Sequence, residues 1–139
     1  MAKKKKIDPG ETFRWQEYKY SPIISEKYPN LKSLTIRMTF YDDSGNRQVG
    51  KVRTWNVPLT AKAFFYKKCP MWECVNGGFD LSQAVDSAIQ SGEDHTKGYL
   101  ICWGWQDKER VGQFHCLTEL HYEISVEHKQ DSEAKGETL

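Results

Sequence analysis

Four cysteines, Cys69, Cys74, Cys102 and Cys116, are the residues of this chain best suited to chemistry. Thiolates bind soft metal ions, pair as disulfides or act as nucleophiles. In a reducing compartment, free thiols and metal ligands are the expected states. Cys69 and Cys74 bracket Pro70-Met71-Trp72-Glu73 and are followed by Gly77-Gly78. Proline fixes one backbone angle there and the glycines permit tight reversals, as a metal-binding loop requires. Cys102 and Cys116 lie on what reads as a β-hairpin. If it folds symmetrically about Glu109, Cys102 faces Cys116, Leu100 faces Thr118 and Gly104 faces Phe114. Opposed Cβ atoms stand roughly 4.5–5.5 Å apart, and sulfurs ~2.3 Å from a tetrahedral zinc stand about 3.8 Å from each other. Three readings stay open: a structural tetrathiolate zinc, four separate buried thiols, and a redox pair of Cys102 with Cys116.

Other candidate chemistry is weaker. Gly77-Gly78 precedes a helix, but the chain has no G-x-x-x-x-G-K-[ST] or G-x-G-x-x-G. Asp80 at the helix start would also occupy the backbone donors that a phosphate needs. His115 adjoins Cys116, yet neighbours on a strand point to opposite faces. His121 and His128 flank a strand end with no spacing that defines an acid–base pair. No catalytic residue is expected, and the reading leans away from an enzyme.

The elements that position the cysteines follow from periodicity. Leu34, Ile36, Met38 and Phe40 alternate with Thr35, Arg37, Thr39 and Tyr41, the period of a half-buried strand. Asp42–Arg47 supply turn residues, and a second strand returns over Val49–Val57. Pairing even with even numbers keeps Lys51, Arg53 and Trp55 off the apolar row, which predicts an odd-length loop. Ala63–Tyr66 suggest a short third strand leading into Cys69. Leu81, Ala84, Val85, Ala88 and Ile89 follow helical spacing, with Asp80 as N-cap, Gln83 completing a capping box and Gly92 as terminator. A second hairpin pairs Gly98–Trp105 with Gln113–Val126. Phe114, Cys116, Leu120, Tyr122, Ile124 and Val126 share one face of its longer strand. Strands around a single helix predict an α+β fold, an antiparallel sheet of two hairpins with the helix on one face.

The chain of 139 residues holds 18 aromatics (five Trp, seven Tyr, six Phe) and reads as one domain over 12–128, with a disordered basic tail expected at 1–11 and a disordered polar tail at 129–139. Its net charge of +1 divides unevenly. Residues 1–11 carry Lys3–Lys6 against Asp8 and Glu11, or +2. Residues 129–139 carry Lys129 and Lys135 against Asp131, Glu133 and Glu137, or −1, so 12–128 is neutral (1 − 2 + 1 = 0). A dedicated nucleic-acid binder carries its basic surplus on the folded body. No apolar run reaches the ~20 residues of a membrane helix, and no apolar stretch follows the basic start as in a secretory signal. A cytoplasmic protein is expected.

Two surfaces suit recognition. On the face opposite Cys102 and Cys116, the assumed register sets Trp103 against His115, Ile101 against Leu117 and Tyr99 against Glu119, with Trp105 at the hairpin end. These aromatics suit a protein partner or a stacked base. The outer face of the first hairpin would gather Arg37, Tyr41, Lys51, Arg53 and Trp55, basic residues interleaved with aromatics.

The run C-P-M-W-E-C-V-N-G-G-F-D-L, then G-Y-L-I-C-W-G-W and C-L-T-E-L-H-Y-E-I, resembles small uncharacterised bacterial proteins with paired cysteines. The likeness spans Cys69 to Ile124 and supports a four-cysteine site. It implies no activity, substrate or partner. The expectation is a non-enzymatic α+β domain with a structural zinc at Cys69, Cys74, Cys102 and Cys116 that recognises a protein partner. The alternatives are a nucleic-acid-binding module using Lys3–Lys6 and the first-hairpin face, and a thiol redox protein.

Overall fold

Strand β1 (Leu31–Tyr41) buries Leu34, Ile36, Met38 and Phe40 and leaves the intervening residues partly or fully exposed, as its alternation predicts. It lies at the centre of an antiparallel sheet of order β2-β1-β6-β5, formed with β2 (Gln48–Asn56), β5 (His95–Ile101) and β6 (Glu119–His128). Short strands β3 (Tyr66–Lys68) and β4 (Gly78–Asp80) pair as a separate ribbon. With helices α1 (Pro9–Tyr20), α2 (Ile24–Lys27) and α3 (Ser82–Ser91), the architecture is α+β. The computed structural model describes residues 9–129. Most of both expected tails therefore lies outside the described residues, although 9–11 begin α1 and Lys129 donates its N–H to the Asn30 carbonyl at 2.8 Å.

The core is the inner face of β1 and β6 packed on α3. Leu34 pairs with Val126, Ile36 with Ile124 and Phe40 with Leu120, all at most 2% exposed. Burying each such side chain contributes about 1.5–3 kcal/mol. Helix α3 adds Val85, Ala88 and Ile89 from one stripe. Asp80 Oδ1 accepts the Ser82 N–H at 2.9 Å, while Leu81 takes the cap position itself. Gly92 closes the helix at φ +75°, the left-handed conformation that glycine adopts without penalty. Buried Tyr28 ties α2 to α3 by donating its hydroxyl hydrogen to Asp86 Oδ1 at 2.8 Å.

Three expectations need correction. The single helix expected is joined by α1 and α2 ahead of β1; in α1 the Tyr18 ring meets Phe64 at 5.6 Å, and the Arg14 guanidinium lies 4.6 Å from the Tyr66 ring. In the first hairpin, Ile36 pairs with Trp55 and Met38 with Arg53, so odd positions of β2 share the face of even positions in β1. The loop between Tyr41 and Gln48 is even in length, 42–47, and a bulge beside Gly50 (φ +73°) intervenes before Phe40 pairs with Val49. The cations avoid burial because β2 is an edge strand. Arg53 runs out to solvent across Phe40, its guanidinium 5.4 Å from the ring centre, and Lys67 from β3 lies 3.7 Å from the Trp55 ring centre. In the second hairpin the register moves by two. Leu100 pairs with Leu120, and the Cys102 N–H donates to the Thr118 carbonyl at 2.8 Å. A shift of two preserves the faces, so the cysteine side survives the change.

Candidate metal centre

The loop carrying Cys69 and Cys74 is set by β3, β4 and one turn. The Cys69 N–H donates to the Gly77 carbonyl at 3.3 Å, continuing the β3–β4 ladder. The Cys74 N–H donates to the Met71 carbonyl at 3.0 Å, closing a β-turn with Trp72 and Glu73 at its centre. Val75 and Trp105 then exchange both backbone hydrogen bonds, at 3.0 and 2.9 Å. That bridge lays the loop against the second hairpin just beyond Cys102. On the other side, the Cys116 N–H donates to the Gly104 carbonyl at 2.7 Å. Cys116 therefore stands opposite Gly104 rather than Cys102, and Leu117, at φ +59°, separates it from β6.

All four sulfurs converge. They lie within 4.8 Å of one another, with Cys74 and Cys102 at 3.6 Å and Cys69 and Cys116 at 3.8 Å. The two measured separations match the spacing of about 3.8 Å on a tetrahedral tetrathiolate. The four are not scattered core thiols, and the group could hold a metal ion. Cys102 and Cys116 are not set apart as a pair, since each sulfur also has a loop cysteine within 3.8 Å. Cys69, Cys102 and Cys116 are buried; Cys74 is partly exposed.

Backbone donors point at the sulfurs. The main-chain N–H groups two positions on, of Met71, Gly104 and Thr118, act on Cys69, Cys102 and Cys116 in the direction that lowers each thiol. Such donors favour the thiolate. The Cys116 sulfur also lies 3.1 Å from the Thr118 hydroxyl, which is itself buried. Hydrogen bonds from Cys102 and Cys69 hold Cys116 below the ordinary thiol range. The cluster resists further ionisation. Sharing hydrogen bonds with Cys102 and Cys116 raises Cys69, burial pushes Cys74 up to about 12, and the hydrogen bond to Cys116 raises Cys102. One thiolate forms readily, and adding more in so small a space needs a cation among them.

Two glycines let the walls close. A Cβ on Gly77 would stand 2.2 Å from the Cys74 sulfur and 2.4 Å from the Cys102 sulfur. Gly104 packs on Gly77 in turn. The Gly77-Gly78 pair signalled this in the sequence as a turn, but its contact with the sulfurs is visible only in three dimensions.

The surfaces expected from the sequence fare differently. Opposite the cysteines, Trp105 stacks on His115 at 4.3 Å, Trp103 meets the same ring edge-on at 5.3 Å, and Tyr99 stacks on His121 at 5.7 Å. These residues thus form one aromatic face, with Tyr99 opposite His121 instead of Glu119 and Trp105 rather than Trp103 opposite His115. Tyr99 and Trp103 are 60% and 64% exposed. The first-hairpin set is divided. Arg37 lies on the open sheet face, 3.7 Å from Glu123, whereas Arg53 and Trp55 pair into the opposite row and Lys51 sits in the bulged stretch. Phe114, expected on the core face, is 56% exposed because it belongs to the 106–115 loop beyond the sheet.

His121 has a carboxylate partner that spacing did not reveal, Glu119 Oε1 at 2.9 Å from Nε2. His128 Nε2 lies 3.1 Å from the Ile89 carbonyl and ties β6 to the end of α3. Among the described residues, no helix is long and apolar enough to cross a membrane. The chain matches no protein-family model, no curated protein and no solved structure.

Proposed function

We propose that Cys69, Cys74, Cys102 and Cys116 hold one structural zinc ion, and that the domain acts by surface recognition of a protein partner. The carrying observation is the convergence of all four sulfurs within 4.8 Å. Thiolate-only donor sets select zinc or iron, and a closed four-ligand shell is the structural kind, whereas catalytic zinc keeps one position open. Gly77 and Gly104 pack against the sulfurs where a substrate would need room. The ion would neutralise the thiolates and clamp the 69–78 loop to the second hairpin, elements otherwise joined by few backbone bonds. Exposed aromatic side chains next to a braced site suit recognition.

The test is elemental analysis of freshly purified protein prepared without added metal, with thiol titration alongside. About one equivalent of zinc and no freely reacting thiols is the expected result. Less than a tenth of an equivalent, with four titratable thiols in folded protein, overturns the reading.

A further inference from the structure

We propose that the tip of the cysteine loop, Trp72 with its surrounding carboxylates, is the docking surface for an arginine- or lysine-rich segment of a protein partner. The inference rests on the braced-site reading and names the surface through which recognition takes place. Trp72 is 89% exposed, the most exposed large hydrophobic side chain among the described residues. It occupies a turn closed by the Cys74 N–H and held at both ends by cysteines of the cluster. A tryptophan presented on a rigid turn loses little freedom on binding, which is the property of an interface anchor.

The surroundings set the sign of the partner. One side of the turn opens into a cleft of about 540 Å³ shared with Glu73, Val75, Asp107, Lys108 and Glu109. The other opens into one of about 320 Å³, where Glu73 and Asp107 recur beside Asp42, Asp43 and Arg110. Five carboxylates thus face Lys108 and Arg110, and Arg110 is engaged with Asp107 at 3.7 Å. This surface carries −3 (5 − 2) on a chain of net +1. Phosphate backbones and anionic lipid are repelled here. A guanidinium or ammonium group gains both the carboxylates and the face of the indole, a favourable cation–π geometry.

The probe is fluorescein-labelled hexa-arginine, with hexa-glutamate as control, read by anisotropy against the full metal-loaded chain. Wild type should bind hexa-arginine and ignore hexa-glutamate. Trp72→Ala should weaken binding about two- to fivefold, the range of an exposed cation–π contact. Glu73→Gln and Glu109→Gln should each cost about twofold, as single solvent-exposed charges do. Trp103→Ala, on the other aromatic face, should change nothing. Equal binding of Trp72→Ala and wild type, or an equal loss with Trp103→Ala, overturns the proposal. Trp72-dependent self-association in sedimentation velocity overturns it in favour of a second copy of the chain. Metal content and circular dichroism of each variant separate the two readings: a metal-free wild type refutes the zinc site, while metal-loaded, folded Trp72→Ala that still binds refutes the docking surface alone.

Discussion

Gly104 packs on Gly77 so closely that a Cβ on Gly104 would stand 2.5 Å from the Gly77 Cα and 2.8 Å from the Cys74 sulfur. The contact lets the cysteine loop and the second hairpin meet at backbone distance, with the sulfurs between them. Gly77→Ala would drive its Cβ into the Cys74 and Cys102 sulfurs and Gly104→Ala into the Gly77 backbone, so each should abolish stoichiometric metal binding and lower the melting temperature strongly. Gly92→Ala is the control. It meets open space but holds φ +75°, so it should cost only about 1 kcal/mol and leave metal content intact. Thermal melts and metal analysis of the three variants check this.

Cys102→Ser should destabilise the whole domain rather than one activity, since the free energy of binding a structural metal is folding free energy. Cys102 is fully buried and its sulfur lies 3.6 Å from that of Cys74. The expected readout is loss of metal together with a lower melting temperature. A metal-loaded wild type beside a mutant that melts at the same temperature would exclude a structural role.

Acid should release the metal. Cys69, Cys74 and Cys102 are all raised in the absence of a cation, so protons compete hard for these sulfurs. The metal-loaded form therefore gains its stability as pH rises and loses it as pH falls. Melting temperature followed downward from pH 8, with released metal read by a colorimetric chelator, should show both dropping together. Metal-free protein should lack that acid transition. Retention of the transition after metal removal would assign it to other groups.

How far the sequence discloses the site depends on parity rather than register. Cys102 and Cys116 fall on one face because both positions are even, and a shift of two leaves that true. The partner of Cys116 could not be read, since Leu117 adopts φ +59° and the 106–115 segment makes its own contacts instead of a plain hairpin. Helix α3 was legible from its spacing and from Gly92. Helix α1 was obscured because its exposed residues show no apolar stripe, although Pro9 at its first position is a recognised start signal. The β1–β2 register departs from even-to-even pairing because Arg53 lies on an edge strand rather than a central one. At the edge, a long cation covers Phe40 and still reaches water. Trp72 carried no periodic signal at all; its exposure follows from a turn that only the convergence of the cysteines defines.

Nucleic-acid binding, if measured at low salt, should belong to the basic N-terminal residues and not to the folded body. Residues 12–128 are net neutral, and Lys3–Lys6 account for the surplus. The structure divides the basic set of the first hairpin between two faces, and Arg37 is engaged with Glu123. Phosphate binding draws its strength from several cations acting on one strand, with affinity falling steeply as salt rises. Deleting residues 1–8, which precede α1, should therefore remove most binding of a labelled single strand, and Arg37→Ala should matter little. Anisotropy at two salt concentrations checks both. Should the shortened chain hold the strand at near-physiological salt and Arg53→Ala release it, the edge where Arg53 and Lys67 lie over Phe40 and Trp55 would be a nucleic-acid surface, and recognition of a protein partner would give way to it.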